Sequence, residues 1–207
     1  MATPMGLNQL TRFQKYLDIK IYLPVLHFVE GRQSVVRETI LDPIGAPQGD
    51  SLTGMLQTPI AVRWGDMDSY GHVNNVFFIR YLEDTRFALF TPPLGDNAPA
   101  DVPAELSVFD LFPNGSNGLM AGHRIEYQAP LGYEDGPITS RLWITRVGTT
   151  SFDIGYRLES FDASVVYAIA STTLVLVNTE SNRPVELPQR LRDTLTQWLG
   201  DPVPFRA

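Results

Sequence analysis

The stretch "VRWGDMDSYGHVNN", from Val62 to Asn75, holds the side chains of this 207-residue chain that are best suited to chemistry. It contains two aspartates, a histidine and paired asparagines. A carboxylate can act as a nucleophile or as a general base, and an imidazole beside it can move a proton. The same residue types are common in ordinary turns, where their side chains accept hydrogen bonds from the backbone. The stretch is therefore either a reactive loop or a structural turn.

The end of this stretch is predicted to begin a helix from Asn74 to Phe90, with Asn74 as the N-cap. Apolar side chains cover nearly every side of its first turns, which predicts a buried helix, and Arg80 and Asp84 have the spacing of a stabilising pair. Unpaired N–H groups at a helix start favour an anion or a developing oxyanion. A carboxylate such as Asp68, placed nearby, could then attack a carbonyl carbon or activate water.

Two other functions use the same residue types. An aspartate pair followed by serine occurs in aspartate-based phosphatases, but these need an apolar parallel strand before the pair and a later basic residue, usually lysine. Here Lys20 is the last lysine in the chain. A metal site built from Asp66, Asp68 and His72 is also conceivable, although one histidine and two loop carboxylates are weak evidence for one.

The segments around the loop must position it. A strand is predicted before the loop, and short turns join further strand patterns after the helix, which indicates antiparallel neighbours. One long helix against a strongly curved antiparallel sheet is an α+β arrangement. The predicted strands are 55–64, 118–130, 138–147, 151–161 and 164–178, and a last helix is predicted over residues 188–199.

Residues 1–54 differ in pattern from the rest. Apolar residues at helical spacing from Leu7 to Ile21 predict an amphipathic helix, and the segment from Leu41 to Gly54 is rich in proline, glycine and aspartate, which is typical of a loop. We therefore expect residues 1–54 to form a partly helical N-terminal extension. Residues 55–207 are expected to form the main domain, with the C-terminal helix.

Composition narrows the possible partners and location. Hydrophobic residues make up 43% of the chain and charged residues 19%, as in globular domains, and the formal net charge is −7. A net negative charge disfavours a general nucleic-acid surface. The chain has no cysteine, which excludes disulfides and thiolate chemistry, and it has no apolar run long enough to span a bilayer. We expect a cytoplasmic protein that binds neither nucleic acid nor membrane.

The segment "RWGDMDSYGHVNNVFFIRYLEDTR", from Arg63 to Arg86, resembles the signature of the hotdog-fold acyl-CoA thioesterases related to 4-hydroxybenzoyl-CoA thioesterase. The similarity continues through "IEYQAPLGYEDGPITSRLWITRVGTTSFDIGYRLES" and covers about residues 56–178. The resemblance implies the hotdog fold, in which a curved antiparallel sheet wraps a long central helix.

The resemblance also implies roles for the loop residues. The family uses a loop aspartate as nucleophile or general base, and it matches Asp68, which makes Asp66 the structural one of the pair. Relatives closer to the 4-hydroxybenzoyl type carry histidine or tyrosine where this chain has Asn75. The "HVNN" version is instead similar to long-chain acyl-CoA and plant acyl-carrier-protein thioesterases. Tyr70 departs from the asparagine of the plant pattern, whereas His72 matches its histidine, so we assign His72 a catalytic role beside Asp68.

The expected reaction is hydrolysis of an acyl-CoA thioester to the free acid and CoA, without a metal or redox cofactor. The backbone N–H groups near Val73 to Asn75 would hold the thioester oxygen. The expected substrate-binding residues are Tyr70, Gly71, Val73, Asn74 and Asn75. The alternative is a non-catalytic hotdog module that binds acyl-CoA or acts as an assembly scaffold.

The resemblance further implies a homodimer or homotetramer with sites at the shared interface. A donor from the partner's Met120 to Arg124 region could then complete the oxyanion pocket. Two larger residue sets remain as candidates for supporting roles. A CoA phosphate could meet one of Arg63, Arg80, Arg86, Arg124, Arg141 and Arg146, and the core or acyl pocket would include Trp64, Phe77, Phe78 and Tyr81.

Overall fold

A computed structural model describes residues 55–206 of the chain. The predicted N-terminal helix and the proline-rich loop lie outside the described residues, so the proposed extension over residues 1–54 stays a prediction. Within the described residues, no helix combines the length and the apolar character needed to cross a bilayer.

Five strands form one antiparallel sheet: β1 (Leu56–Ile60), β2 (Ser116–Tyr127), β3 (Ile138–Val147), β4 (Ser151–Glu159) and β5 (Val166–Asn178). Their order in the sheet is β1-β3-β4-β5-β2. The last three strands of the chain are interior, because each pairs on both sides, whereas the first two are the edges of the sheet. The predicted α+β arrangement is confirmed.

The long helix α1 (Asn75–Phe90) packs against one face of this sheet, closest to β1 and β3. Tyr81, Leu82 and Phe90 are fully buried on the side of α1 that faces the strands. On β4, Phe152 to Leu158 alternate as predicted, with the apolar residues at every second position fully buried. Burial of these apolar side chains is the main force that holds α1 on the sheet.

The prediction that α1 is buried on every side is wrong for the described chain. Val76, Ile79 and Phe87 are exposed, because the five strands cover only one side of the helix. Apolar residues on both sides of a helix predict a partner on both sides. The sheet is the partner on one side, and the described chain places nothing comparable on the other.

The predicted strand before the loop is shorter than expected. β1 ends at Ile60, which pairs with Ile138, the first residue of β3, so the residues after Ile60 have no partner strand. The chain then forms a 3₁₀ turn over Trp64–Asp66 and leads directly into the loop. Trp64 is 75% exposed and contacts the edge of Tyr133, so its predicted place in the core or acyl pocket is wrong.

The predicted pairing of Arg80 with Asp84 is replaced by a longer-range one. Asp84 forms a salt bridge with Arg63, at 3.7 Å, rather than with its helical neighbour Arg80. Partial burial raises the pKa of the Asp84 carboxyl, and the nearby charges of Arg63 and Arg80 oppose that rise. The ion pair therefore connects the segment after β1 to the middle of α1.

The chain closes with α2 (Gln189–Thr196), a little shorter than the predicted helix over residues 188–199. The segment after α2 is anchored to β3, where the Trp143 indole donates to the carbonyl of Asp201 at 2.8 Å. It then reaches β2, where the backbone N–H of Arg206 donates to the Glu126 carboxylate. These contacts hold the C-terminal segment on the sheet.

Candidate active site

The loop between β1 and α1 is a tight hairpin-like turn. Met67 and Val73 form an isolated antiparallel bridge, and the N–H of Asp68 donates to the carbonyl of His72 at 2.8 Å. At its tip Gly71 has φ +78°, in the left-handed region that side chains other than glycine rarely adopt. The glycine thus allows the chain to reverse within this loop, which keeps Asp68 and His72 side by side.

The two aspartates have different surroundings. Asp66 is only 4% exposed, and its carboxylate accepts a 2.7 Å hydrogen bond from the Tyr81 hydroxyl, on a buried part of α1. Burial, and then the hydrogen bond and the negative charge of Asp66, raise the pKa of Tyr81 far above its usual range. Asp66 therefore ties the loop to the helix and has no access to a substrate.

Asp68 has one occupied and one available carboxylate oxygen. Its Oδ1 accepts hydrogen bonds from the backbone N–H groups of Tyr70, at 2.8 Å, and His72, at 3.3 Å. Among the described residues, no group donates to its Oδ2. One oxygen thus braces the turn, as the structural interpretation predicts, while the other is available for chemistry.

The helix start offers fewer donors than the sequence predicts. The N–H of Val73 donates to the carbonyl of Leu131 at 2.8 Å. The N–H of Asn74 donates to the carbonyl of Asp66 at 2.9 Å. Neither is available to a ligand. In the part of the chain that the structure describes, the N–H of Asn75 has no acceptor, which narrows the expected oxyanion site to this one group.

Asp68 and Asn75 line the same open cleft, whose volume of about 430 Å³ lies in the usual range for ligand pockets. Of the predicted site residues, His72 and Val73 also line it, whereas Tyr70, Gly71 and Asn74 do not. Tyr70 is 83% exposed at the loop tip. The remaining lining residues are Phe78, Tyr127, Gln128, Ala129, Pro130 and Leu131.

Sequence reasoning missed the wall formed by the end of β2 and the segment after it. The Tyr127 hydroxyl donates to the carbonyl of Asn75 at 3.3 Å, and its ring contacts Phe78 edge-on at 5.1 Å between centroids. Burial raises the pKa of Tyr127, which keeps its hydroxyl protonated as a donor. The sequence feature that could have indicated this wall is "EYQAPL", residues 126–131, in which a strand ends at a proline-containing segment.

The two competing interpretations of the aspartates lose their support. An aspartate-based phosphatase needs a parallel α/β sheet, and the described sheet is entirely antiparallel. Within residues 55–206, no three potential ligands of the His, Asp or Glu type lie close enough together to hold a metal ion. In particular, the buried carboxylate of Asp66 already accepts the hydrogen bond from Tyr81.

Comparison with known proteins identifies the family of the chain. Residues 62–199 match the thioesterase-like superfamily. The chain belongs to this family. No curated protein significantly matches this thioesterase.

Solved structures similar to this thioesterase include the PA5185 protein from Pseudomonas aeruginosa strain PAO1. That protein is 25% identical, with 71% of this chain and 93% of that one covered and a TM-score of 0.54. The proposed thioesterase PA2801 from Pseudomonas aeruginosa is 28% identical over 69% of this chain and 97% of its own, with a TM-score of 0.51. Slr0204 from Synechocystis, a 1,4-dihydroxy-2-naphthoyl-CoA thioesterase, is 18% identical over 69% and 96%, with a TM-score of 0.56, and shows similarity of fold alone.

The predicted family and the hotdog fold are thus confirmed, and so is the enzyme class of thioester hydrolase. The six arginines that are candidates for binding a CoA phosphate differ in their burial and in their salt bridges. Arg80 is exposed and Arg86 is buried. The other four form salt bridges with carboxylates, namely Arg63, Arg124, Arg141 and Arg146.

The cap of α1 can be tested separately from the chemistry of the thioesterase. The Asn74 side chain accepts a hydrogen bond from the N–H of Val76 at 3.2 Å. Asn74→Ala is expected to lower the free energy of unfolding by about 1 kcal/mol in urea denaturation, because this N–H loses its partner. Asn74→Asp keeps an acceptor and is the matched control. Equal stability of Asn74→Ala and the wild type would show that the cap contributes nothing.

Proposed function

We propose that this thioesterase hydrolyses acyl-CoA, with Asp68 as the reactive carboxylate and the N–H of Asn75 as the oxyanion donor. The observation that carries the proposal is that Asp68, which has an available carboxylate oxygen, and Asn75, which has an available N–H, line one cleft. Asn75 is the first residue of α1, where the helix dipole favours negative charge, and Asp68 lies in the loop that leads into this helix. The thioester carbonyl oxygen would accept the bond from Asn75 while its carbon faces Asp68.

Two routes are compatible with this placement. As general base, Asp68 takes a proton from water, the hydroxide adds to the carbonyl carbon, and the tetrahedral intermediate expels the CoA thiolate. As nucleophile, Asp68 adds to the carbonyl carbon itself, the CoA thiolate leaves, and water then hydrolyses the mixed anhydride. His72 lines the same cleft, and we assign to it the delivery of a proton to the leaving thiolate. Label found in the Asp68 carboxyl after a single turnover in ¹⁸O-labelled water would identify the nucleophilic route, because label can enter this carboxyl only when water attacks the aspartyl carbonyl of the anhydride.

The direct test is thiol release from a panel of acyl-CoA thioesters by the purified full-length chain, with acyl-pantetheine thioesters as substrates that lack the nucleotide. We expect turnover of at least one acyl-CoA. Tight binding across the panel without any release of CoA would contradict the proposal and favour a non-catalytic module or scaffold. Turnover of thioesters on a carrier protein alone would exclude free CoA as the carrier.

We also propose that the chain forms a homodimer or homotetramer. β2 is an edge strand of the sheet, with one side unpaired in the described chain. Val76, Ile79, Phe87 and Leu119 are exposed apolar side chains on α1 and β2. Unpaired edges and apolar patches favour association. Sedimentation of the full-length chain should give at least twice its mass of 23.1 kDa, and a monomer at micromolar concentration would contradict this.

A further inference from the structure

The C-terminal segment brings an arginine to the rim of the candidate active site. The guanidinium of Arg206 donates from Nη2 to the side-chain oxygen of Gln128 at 3.1 Å. Gln128 is an exposed residue that lines the cleft together with Asp68 and Asn75. Arg206 is exposed too, and it is none of the six arginines that the sequence offers as candidates for binding a CoA phosphate. A cation thus lies one side chain away from the cleft.

Arg206 is held in this position by its backbone. Its N–H donates to both oxygens of the Glu126 carboxylate, at 3.1 and 3.0 Å. Its carbonyl oxygen accepts a hydrogen bond from Nη2 of Arg124 at 2.9 Å. The guanidinium of Arg124 also lies over the ring of Phe205, 4.1 Å from its centroid, which is a favourable cation–π contact. Because these contacts fix the backbone of Arg206, less freedom is lost when its side chain binds a ligand.

Arg206 carries a positive charge that its neighbours do not compensate. Two glutamates on the sheet face that carries the C-terminal segment already have arginine partners: Glu126 pairs with Arg124, and Glu159 pairs with Arg141 and Arg157. Within residues 55–206, no carboxylate forms a salt bridge with Arg206. This face is therefore locally positive, although the whole chain has a formal net charge of −7. An exposed cation in such surroundings attracts an anionic ligand.

The separation of Arg206 from the proposed thioester position matches the arm of a thioester carrier. Tyr127 contacts Asn75, Gln128 follows Tyr127 in the chain, and Gln128 contacts Arg206. Two side chains therefore separate the oxyanion donor from the guanidinium, a distance on the order of 15 Å. The pantetheine arm of CoA contains two amides between its sulfur and its first phosphate, so it has about the length of four extended residues, about 14 Å. An arm that leaves the cleft over Gln128 brings its phosphate to Arg206.

We propose that Arg206 binds the phosphate of the phosphopantetheine arm and is thus a specificity-determining residue for the carrier of the acyl group. The inference rests on the proposed function, because the thioester position in the cleft defines where the arm begins. Among residues 55–206, only Nη2 of the guanidinium donates to another residue, Gln128. This bond orients the guanidinium, whose fork of donors matches a phosphate, and its other two nitrogens are available for the ligand.

The test compares three thioesters of one acyl group: acyl-pantetheine without a phosphate, acyl-4′-phosphopantetheine with the arm phosphate alone, and acyl-CoA. The wild type should favour both phosphorylated members by about fivefold or more in kcat/KM, mainly through a lower KM, because the phosphate is far from the reacting atoms. This preference should fall as salt is added, since an exposed ion pair is screened. CoA and a carrier protein present the same phosphate, and thiol release from the same acyl group on each tells these two sources apart.

Three variants accompany the wild type. Arg206→Gln should reduce the preference for the phosphorylated members to less than about twofold and leave acyl-pantetheine within about twofold of the wild type. Arg206→Lys keeps the charge but not the fork of donors, so an intermediate preference is expected. Arg183→Gln is the control, because it removes an equal charge from an exposed position near the other end of β2, where the Arg183 carbonyl accepts from the N–H of Asn178. It should keep the wild-type preference.

Several outcomes would overturn the inference. One is a wild type that hydrolyses acyl-pantetheine and acyl-4′-phosphopantetheine equally well. Another is an Arg206→Gln variant that loses activity on all three thioesters equally, which would indicate a structural role. A preference for acyl-CoA over acyl-4′-phosphopantetheine that Arg206→Gln removes would assign Arg206 to a nucleotide phosphate instead of the arm. If no thioester is hydrolysed, the proposed function fails, and calorimetry with 4′-phosphopantetheine and pantetheine still decides: tighter binding of the phosphate by the wild type than by Arg206→Gln supports the inference, and equal binding contradicts it.

Discussion

Asp68→Asn is expected to lower kcat/KM for acyl-CoA hydrolysis by about a thousandfold, which is the typical contribution of a positioned acid–base group. The asparagine retains an oxygen in the place of Oδ1, so it can still accept the backbone bonds from Tyr70 and His72 that brace the turn. What it loses is the charge and basicity of the available oxygen. The measurement is steady-state thiol release at saturating and subsaturating substrate, with the thermal midpoint recorded alongside.

A matched control is available for this substitution. Asp135 also uses a carboxylate oxygen to brace a turn, since it accepts from the N–H of Gly132 at 2.7 Å, and it does not line the cleft. Asp135→Asn should therefore hydrolyse acyl-CoA at the wild-type rate. If Asp68→Asn does the same, Asp68 is only a turn residue. If both variants lose activity together with their thermal stability, the loss reflects the fold and not the chemistry.

The sequence predicts those parts of the fold that depend on local pattern. α1 begins within one residue of its predicted start and ends where predicted, because an asparagine cap and an apolar run define it locally. β3 matches its predicted range, bounded by turns on both sides. The strand before the loop is shorter than predicted, because β1 ends where its pairing partner β3 begins, and β3 is far away in the sequence. Strand ends depend on partners, which a local pattern does not contain.

The loop side chains of the candidate site could be predicted from the sequence, but the backbone donor and the contacts across the fold could not. Asp68 and His72 stand out by residue type, and the family resemblance separates Asp68 from Asp66. The choice of Asn75 over Val73 as the proposed oxyanion donor could not be predicted, because it depends on which N–H groups already have acceptors. The acceptor of Val73 is Leu131, a contact across the fold. The burial of Arg86, which forms no salt bridge with another residue of the range 55–206, is likewise a property of tertiary packing.

Tyr81→Phe is expected to lower the free energy of unfolding by about 2–3 kcal/mol while the loop chemistry is untouched. The Tyr81 hydroxyl is fully buried and donates to the carboxylate of Asp66 at 2.7 Å. Its removal leaves that buried carboxylate with the weaker bond from the N–H of Arg63, at 3.3 Å. Loss of a hydrogen bond to a buried charged group has this magnitude, since the charge can regain neither water nor another donor. Urea denaturation followed by circular dichroism measures the change.

Tyr133→Phe is the control for this prediction, because it removes the same hydroxyl from an exposed position and should change stability by less than about 0.5 kcal/mol. Asp66→Asn should recover part of the stability of the Tyr81→Phe background, since an amide is less costly to bury than an unpaired carboxylate. If Tyr81→Phe unfolds at the wild-type urea concentration, the loop does not depend on the buried bond. Together with Asp68→Asn, this pair of substitutions assigns stability to one aspartate of the loop and chemistry to the other.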